Sequence, residues 1–94
     1  MSEAKIKLDG VVNIARVEGL HHEMEDILKQ AVPTTIEAMD VSRVDTAALQ
    51  LIAVFIKDMG SAGAGITWNG VSDEFLAAAK LVGLEKVLNL PLVS

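Results

Sequence analysis

The stretch that decides the fold is TTIEAMDVSRVDTAALQLIAVFIKDM, residues 34–59. Its first part, Thr34 to Val41, is β-rich and mostly uncharged, which predicts a central strand buried on both faces. Ser42 to Thr46 reads as a short loop. Ala47 to Met59 then reads as a helix that is apolar nearly all round, with only Gln50, Lys57 and Asp58 plainly polar. A helix of that kind is either deeply buried or turns a spare apolar face to a partner. A buried strand feeding such a helix through a short loop is half of a βαβ unit, and points to an α/β fold.

Working outward toward the N-terminus, Leu20 to Ala31 predicts an amphipathic helix. Leu20, Met24, Ile27, Leu28 and Ala31 share one stripe, and Pro33 ends the helix. Before it, Ala4 to Leu8 alternates apolar and charged residues, the period of a half-exposed strand with Ile6 and Leu8 facing inward. Asp9-Gly10 is a turn dipeptide and Val11 to Ala15 is strand-like, so the chain is expected to open with a hairpin. Toward the C-terminus, Gly60 to Gly65 reads as a loop and Ile66 to Asn69 as a strand carrying Trp68, expected in the core. Ser72 is placed to N-cap a helix from Asp73 to about Val82, with Phe75, Leu76, Ala79 and Val82 inward and Gly83 as terminator. Glu85 to Leu88 is expected to add a turn, and Pro91 to close the fold. The expected architecture is a single α/β domain over 1–94, with a mixed sheet of about four strands and three to four helices packed on it.

Composition narrows the function. The chain has 94 residues, 13 acids against 8 bases, a net charge of −5, and no cysteine. The bases are scattered, without the clustered positive charge that nucleic acid or an anionic membrane surface requires. Disulfides, thiolate metal sites and cysteine nucleophiles are excluded. The start of the sequence has no leader-like apolar stretch, and no apolar run approaches the ~20 residues of a spanning helix. The expectation is a cytoplasmic protein without direct membrane insertion.

No catalytic constellation is legible. Gly60 to Gly65 lacks the Lys and Ser/Thr of a phosphate-cradling loop, and no Ser/His/Asp set has workable spacing. His21, His22 and Glu25 suggest a metal, but on a helix His22 and Glu25 are read as the pair sharing a face, and two ligands make a poor site. No cofactor or metal is expected, and the chain is read as a non-enzyme. A small enzyme using Asp45 or His22 as base is the rival that a deep polar pocket at either residue would support.

The segment from Asp40 to Leu49, with its Asp45-Thr46 step before an apolar helix, resembles the STAS (anti-sigma-factor-antagonist-like) domain family. In element order the resemblance extends over nearly the whole chain, through Gly60 to Gly65, the strand Ile66 to Asn69 and the closing helix ending in Gly83-Leu84. It implies an α/β fold and a protein-binding role of signalling or regulatory type. Many single-domain members oppose anti-sigma factors, which are kinases that phosphorylate the Ser or Thr after the Asp; Thr46 holds that position. Kinase-regulated members usually read Asp-Ser-Ser-Gly, where this chain reads Asp45-Thr46-Ala47-Ala48. A branch with Asp-Thr is instead a cytoplasmic subunit that binds the ATPase of a lipid-asymmetry ABC transporter, and others sit in chemotaxis-associated clusters. The resemblance makes Ser42, Arg43, Asp45, Thr46, Ala47, Leu49 and Gln50 the expected partner-binding set. The partner is then an anti-sigma kinase-like protein or a transporter ATPase, and the chain a monomer or weak homodimer.

Thr46 also carries a plain structural reading, as the N-cap of its helix. Asp45 either contacts a partner or holds the loop through backbone amides. Asp40 is read as a structural residue ending its strand.

Overall fold

The structure is a computed structural model that describes residues 3–90. Three strands alternate with helices: β1 (Ala4–Val12), α1 (Ile14–Gly19), α2 (His21–Gln30), β2 (Thr34–Val44), α3 (Thr46–Ser61), β3 (Ile66–Val71) and α4 (Asp73–Leu81). Among the described residues they form one sheet in the order β1-β2-β3, with both pairings parallel. The α/β class stands. Among the described residues the sheet has three parallel strands rather than about four mixed ones, with four helices. Pro91 lies outside the described residues.

The opening hairpin is absent because Asp9-Gly10 does not reverse the chain. Gly10 takes φ +59 inside a continuous β1, where parallel pairing to β2 slips register between Lys7 and Asp9 and again between Gly10 and Val11. β2 carries one extra residue at each slip. Its inward residues are Thr34, Ile36, Ala38, Val41 and Val44, a spacing that widens from two to three at those points. The bulges thus keep an apolar residue facing the core where strict alternation would turn it outward. Val11 and Val12 complete β1. Asn13 then accepts a hydrogen bond from the Arg16 amide (2.9 Å) and starts α1, so Ile14 and Ala15 are helical rather than extended. Leu20 links α1 directly to α2.

β2 is central but buried on one face only. Ile6, Ile36 and Trp68 lie in register on the covered face, with Ile6 and Ile36 each 1% exposed. The outer face carries Lys5, Glu37 and Asn69, joined across the three strands by an ion pair of 3.5 Å and a hydrogen bond of 3.2 Å. Trp68 is half-buried against this core, its ring tilted on Phe75 at 5.5 Å, and its indole N–H donates to the Leu88 carbonyl at 2.8 Å. α3 supplies the largest share of buried side chains, from Ala48 to Met59. α4 begins at Ser72 as expected, and Gly83 at φ +73 follows it.

Candidate functional site

In a parallel sheet the helices that follow the strands begin on the side of their carboxyl ends, the carboxyl edge of the sheet. Asn13 and Asp45, which precede α1 and α3, stand together beyond the paired Val12 and Val44, whereas Ser72, which precedes α4, follows Val71 opposite Ala38 in the middle of β2. Each caps its helix through a side chain: Asn13 to the Arg16 amide at 2.9 Å, Asp45 to the Ala48 amide at 2.8 Å, and Ser72 to the Phe75 amide at 3.1 Å. The Ser72 amide donates to the Ala38 carbonyl (3.0 Å), farther back along β2, while the Asp45 amide donates to the Val12 carbonyl (3.1 Å), tying the α1 and α3 junctions into one surface. Arg16 reinforces it, reaching Asp9 Oδ1 at 3.0 Å. Open α/β sheets place their ligand and partner surfaces at this edge.

The capping assignment differs from the sequence reading. Asp45, with extended backbone (φ −91, ψ 165), is the N-cap, and Thr46 is the first helical residue. The carboxylate reaches the third amide of the turn, leaving the Thr46 hydroxyl outside every side-chain hydrogen bond among the described residues. The loop is also shorter than expected. β2 runs to Val44, so Ser42 and Arg43 belong to a strand end, and Asp40 lies within the strand, 4.0 Å from Lys7.

The structure brings most of the expected binding set onto one surface. Ser42, Arg43, Asp45, Thr46, Ala47 and Gln50 are all exposed. Leu49 is 1% exposed and packs into the core, so it supports this surface from beneath. Gly60 to Gly65 is at the other pole. Gly60 and Ser61 belong to α3, whose 16 residues span about 24 Å, and the Gly65 carbonyl accepts from Thr34 at the start of β2. That segment is therefore no neighbour of Thr46.

The histidines are arranged differently from expectation. Glu25 pairs with His21 at 3.5 Å, one full turn away, rather than with His22. Among the described residues, no three His, Asp or Glu side chains group as metal ligands.

Residues 1–93 match the family described as "Mlab, STAS domain". The chain belongs to the STAS domain family. STAS domains are in general non-catalytic domains that bind protein partners, in regulatory or accessory roles. No curated protein matches the chain. In shape this STAS domain is similar to a solved structure described as "Crystal Structure Analysis of Mglu", with a TM-score of 0.64 and 17% identity. That likeness covers 73% of this chain and 17% of the other, and it is a likeness of fold. No helix among the described residues is long and apolar enough to cross a membrane.

Proposed function

We propose that this chain is a non-catalytic docking domain that binds a protein partner through the carboxyl edge of its sheet, at Ser42, Arg43, Asp45, Thr46, Ala47 and Gln50. The observation that carries this reading is the division of labour at α3. Asp45 closes the first turn, so the exposed Thr46 hydroxyl is left for an external contact. The partner is the ATPase of an ABC transporter, for which the chain serves as cytoplasmic accessory subunit. Support comes from the family description and from Ala47-Ala48, which replace the second hydroxyl and the glycine of kinase-regulated relatives.

A second reading, an anti-sigma factor antagonist gated by phosphorylation of Thr46, draws on one feature. The amino end of α3 tolerates a phosphate locally, since its first amides and dipole favour negative charge. Phosphorylation would add about −1.5 to −2 charges beside Asp45 and oppose docking without unfolding the domain.

Co-expression with the transporter ATPase or with an anti-sigma kinase encoded nearby tests both readings. The ATPase is expected to co-purify with the native chain and to be lost with Thr46→Glu, provided both chains fold. Failure of the native chain to retain the ATPase sinks the first reading. Retention of the kinase, with phosphate transfer to Thr46, establishes the second. Unchanged partner affinity in both Thr46→Ala and Thr46→Glu removes the gate from either.

A further inference from the structure

Between α2 and α3 runs an open groove of about 550 Å³. Its floor is apolar: Val17, Met24 and Phe55 are buried, and Leu28 is half-buried. On the α3 side, Leu51 and Val54 stand exposed (38% and 55%). Exposed aliphatic side chains lining a concave apolar floor are the form of a helix-binding groove, which accepts anchors at i, i+3, i+4 and i+7.

The rim specifies charge. Glu18, Glu25 and Asp58 line the groove together with His21, and no Lys or Arg lines it. A basic helix would find carboxylates on both walls, whereas an acidic or anionic occupant would be repelled. This argues against a second copy, because the chain carries a net charge of −5 and none of its described helices combines an apolar stripe with a basic face. It argues equally against an anionic lipid surface.

We infer that the α2–α3 groove is the seat for a basic amphipathic helix of a protein partner. Along α3, Ala47, Leu51, Val54 and Asp58 form a continuous stripe leading from the Thr46 edge into the groove. The inference deepens the docking reading: the partner holds the edge at Thr46 and extends a basic helix along α3. It rests on that reading only for the identity of the protein that supplies the helix.

The probe is a synthetic amphipathic Leu/Lys peptide of about 18 residues, five turns of helix, titrated into the full ¹⁵N-labelled chain and followed by amide NMR. A Leu/Glu peptide of the same pattern is the control. Saturable shifts are expected along His21–Leu28 and Leu51–Asp58. Val54→Glu should weaken binding about tenfold or more, as should the double reversal Glu25→Lys with Asp58→Lys, which should also favour the Leu/Glu peptide. The same number of reversals at Glu23 and Glu74, outside the groove, should leave affinity within about threefold. All substituted side chains are solvent-exposed, and circular dichroism verifies that each variant folds. Shifts scattered over other faces, equal loss from the control reversals, equal affinity for the Leu/Glu peptide, or groove signals that move with protein concentration alone would each overturn the inference. Thr46→Glu lies outside the groove and should leave probe binding unchanged, so failure of the docking reading and failure of the groove are read separately.

Discussion

Asp45 Oδ1 accepts the amide N–H of Ala48 at 2.8 Å, so the carboxylate rather than the neighbouring threonine closes the first turn of α3. A side chain one residue before the helix points back over the amides of the turn, whereas a side chain already in helical geometry does not.

Asp45→Ala should therefore destabilise the domain by about 1 kcal/mol, in the range of other cap removals, and Asp45→Asn by less. Thr46→Ala should stay within about 0.5 kcal/mol, as for an exposed site without a structural bond. Urea unfolding measures all three, and a Thr46→Ala cost larger than that of Asp45→Ala would reverse the assignment.

Leu49 and Val54 lie on the same helix and face opposite surroundings, 1% and 55% exposed. Leu49→Ala opens a cavity in the core and should cost about 2–5 kcal/mol. Val54→Ala should change stability by no more than about 0.5 kcal/mol. Comparable losses at both positions in denaturant melts would contradict the orientation of α3.

Gly70 sits at φ +91 where β3 slips register between Trp68 and Val71. A Cβ there would come within 3.1 Å of Met39 Cε and 3.2 Å of Met39 Cβ, in a backbone conformation that L-residues avoid. Gly70→Ala should lower stability by about 1–2 kcal/mol or more. Gly10, at φ +59 with open space around it, should show only the backbone share of that cost when changed to Ala. Thermal melts of the two variants rank them, and an equal or larger shift for Gly10→Ala would contradict the crowding at Met39.

Trp68 is the only tryptophan, and its indole N–H holds the Leu88 carbonyl at 2.8 Å. Trp68→Phe should leave that carbonyl without the partner and cost about 1–3 kcal/mol. In the native chain, Trp68 fluorescence should shift to the red in the same cooperative transition seen by circular dichroism. A Trp signal that changes well before the helical signal would show the C-terminal turn opening on its own.

The sequence by itself determined the alternation of strands and helices around residues 34–59, the Ser72 cap of α4 with Phe75 and Ala79 inward (Val82, also expected inward, is exposed), and the family, whose Asp45-Thr46 step is local in the chain. These features depend on periodicity, capping and adjacency, all of which act within a few residues. The tertiary structure decided what local signals leave open. Asp9-Gly10 is a turn dipeptide in isolation, yet parallel pairing with β2 absorbs the positive φ of Gly10 within a bulged strand. Val11 to Ala15 has strand propensity, yet Asn13 finds the Arg16 amide and the chain turns helical. β2 is apolar enough to be buried twice, yet the described helices cover one face and leave Glu37 to bridge Lys5 and Asn69. At Asp45-Thr46 the sequence placed both residues at a helix start, and only the backbone path decided that the aspartate bonds the helix and the threonine faces outward. Propensity sets what a segment can do, and the contacts made in the folded chain select among those options: strands distant in sequence at Gly10 and on the faces of β2, and a capping side chain three residues from its amide at Asn13 and Asp45.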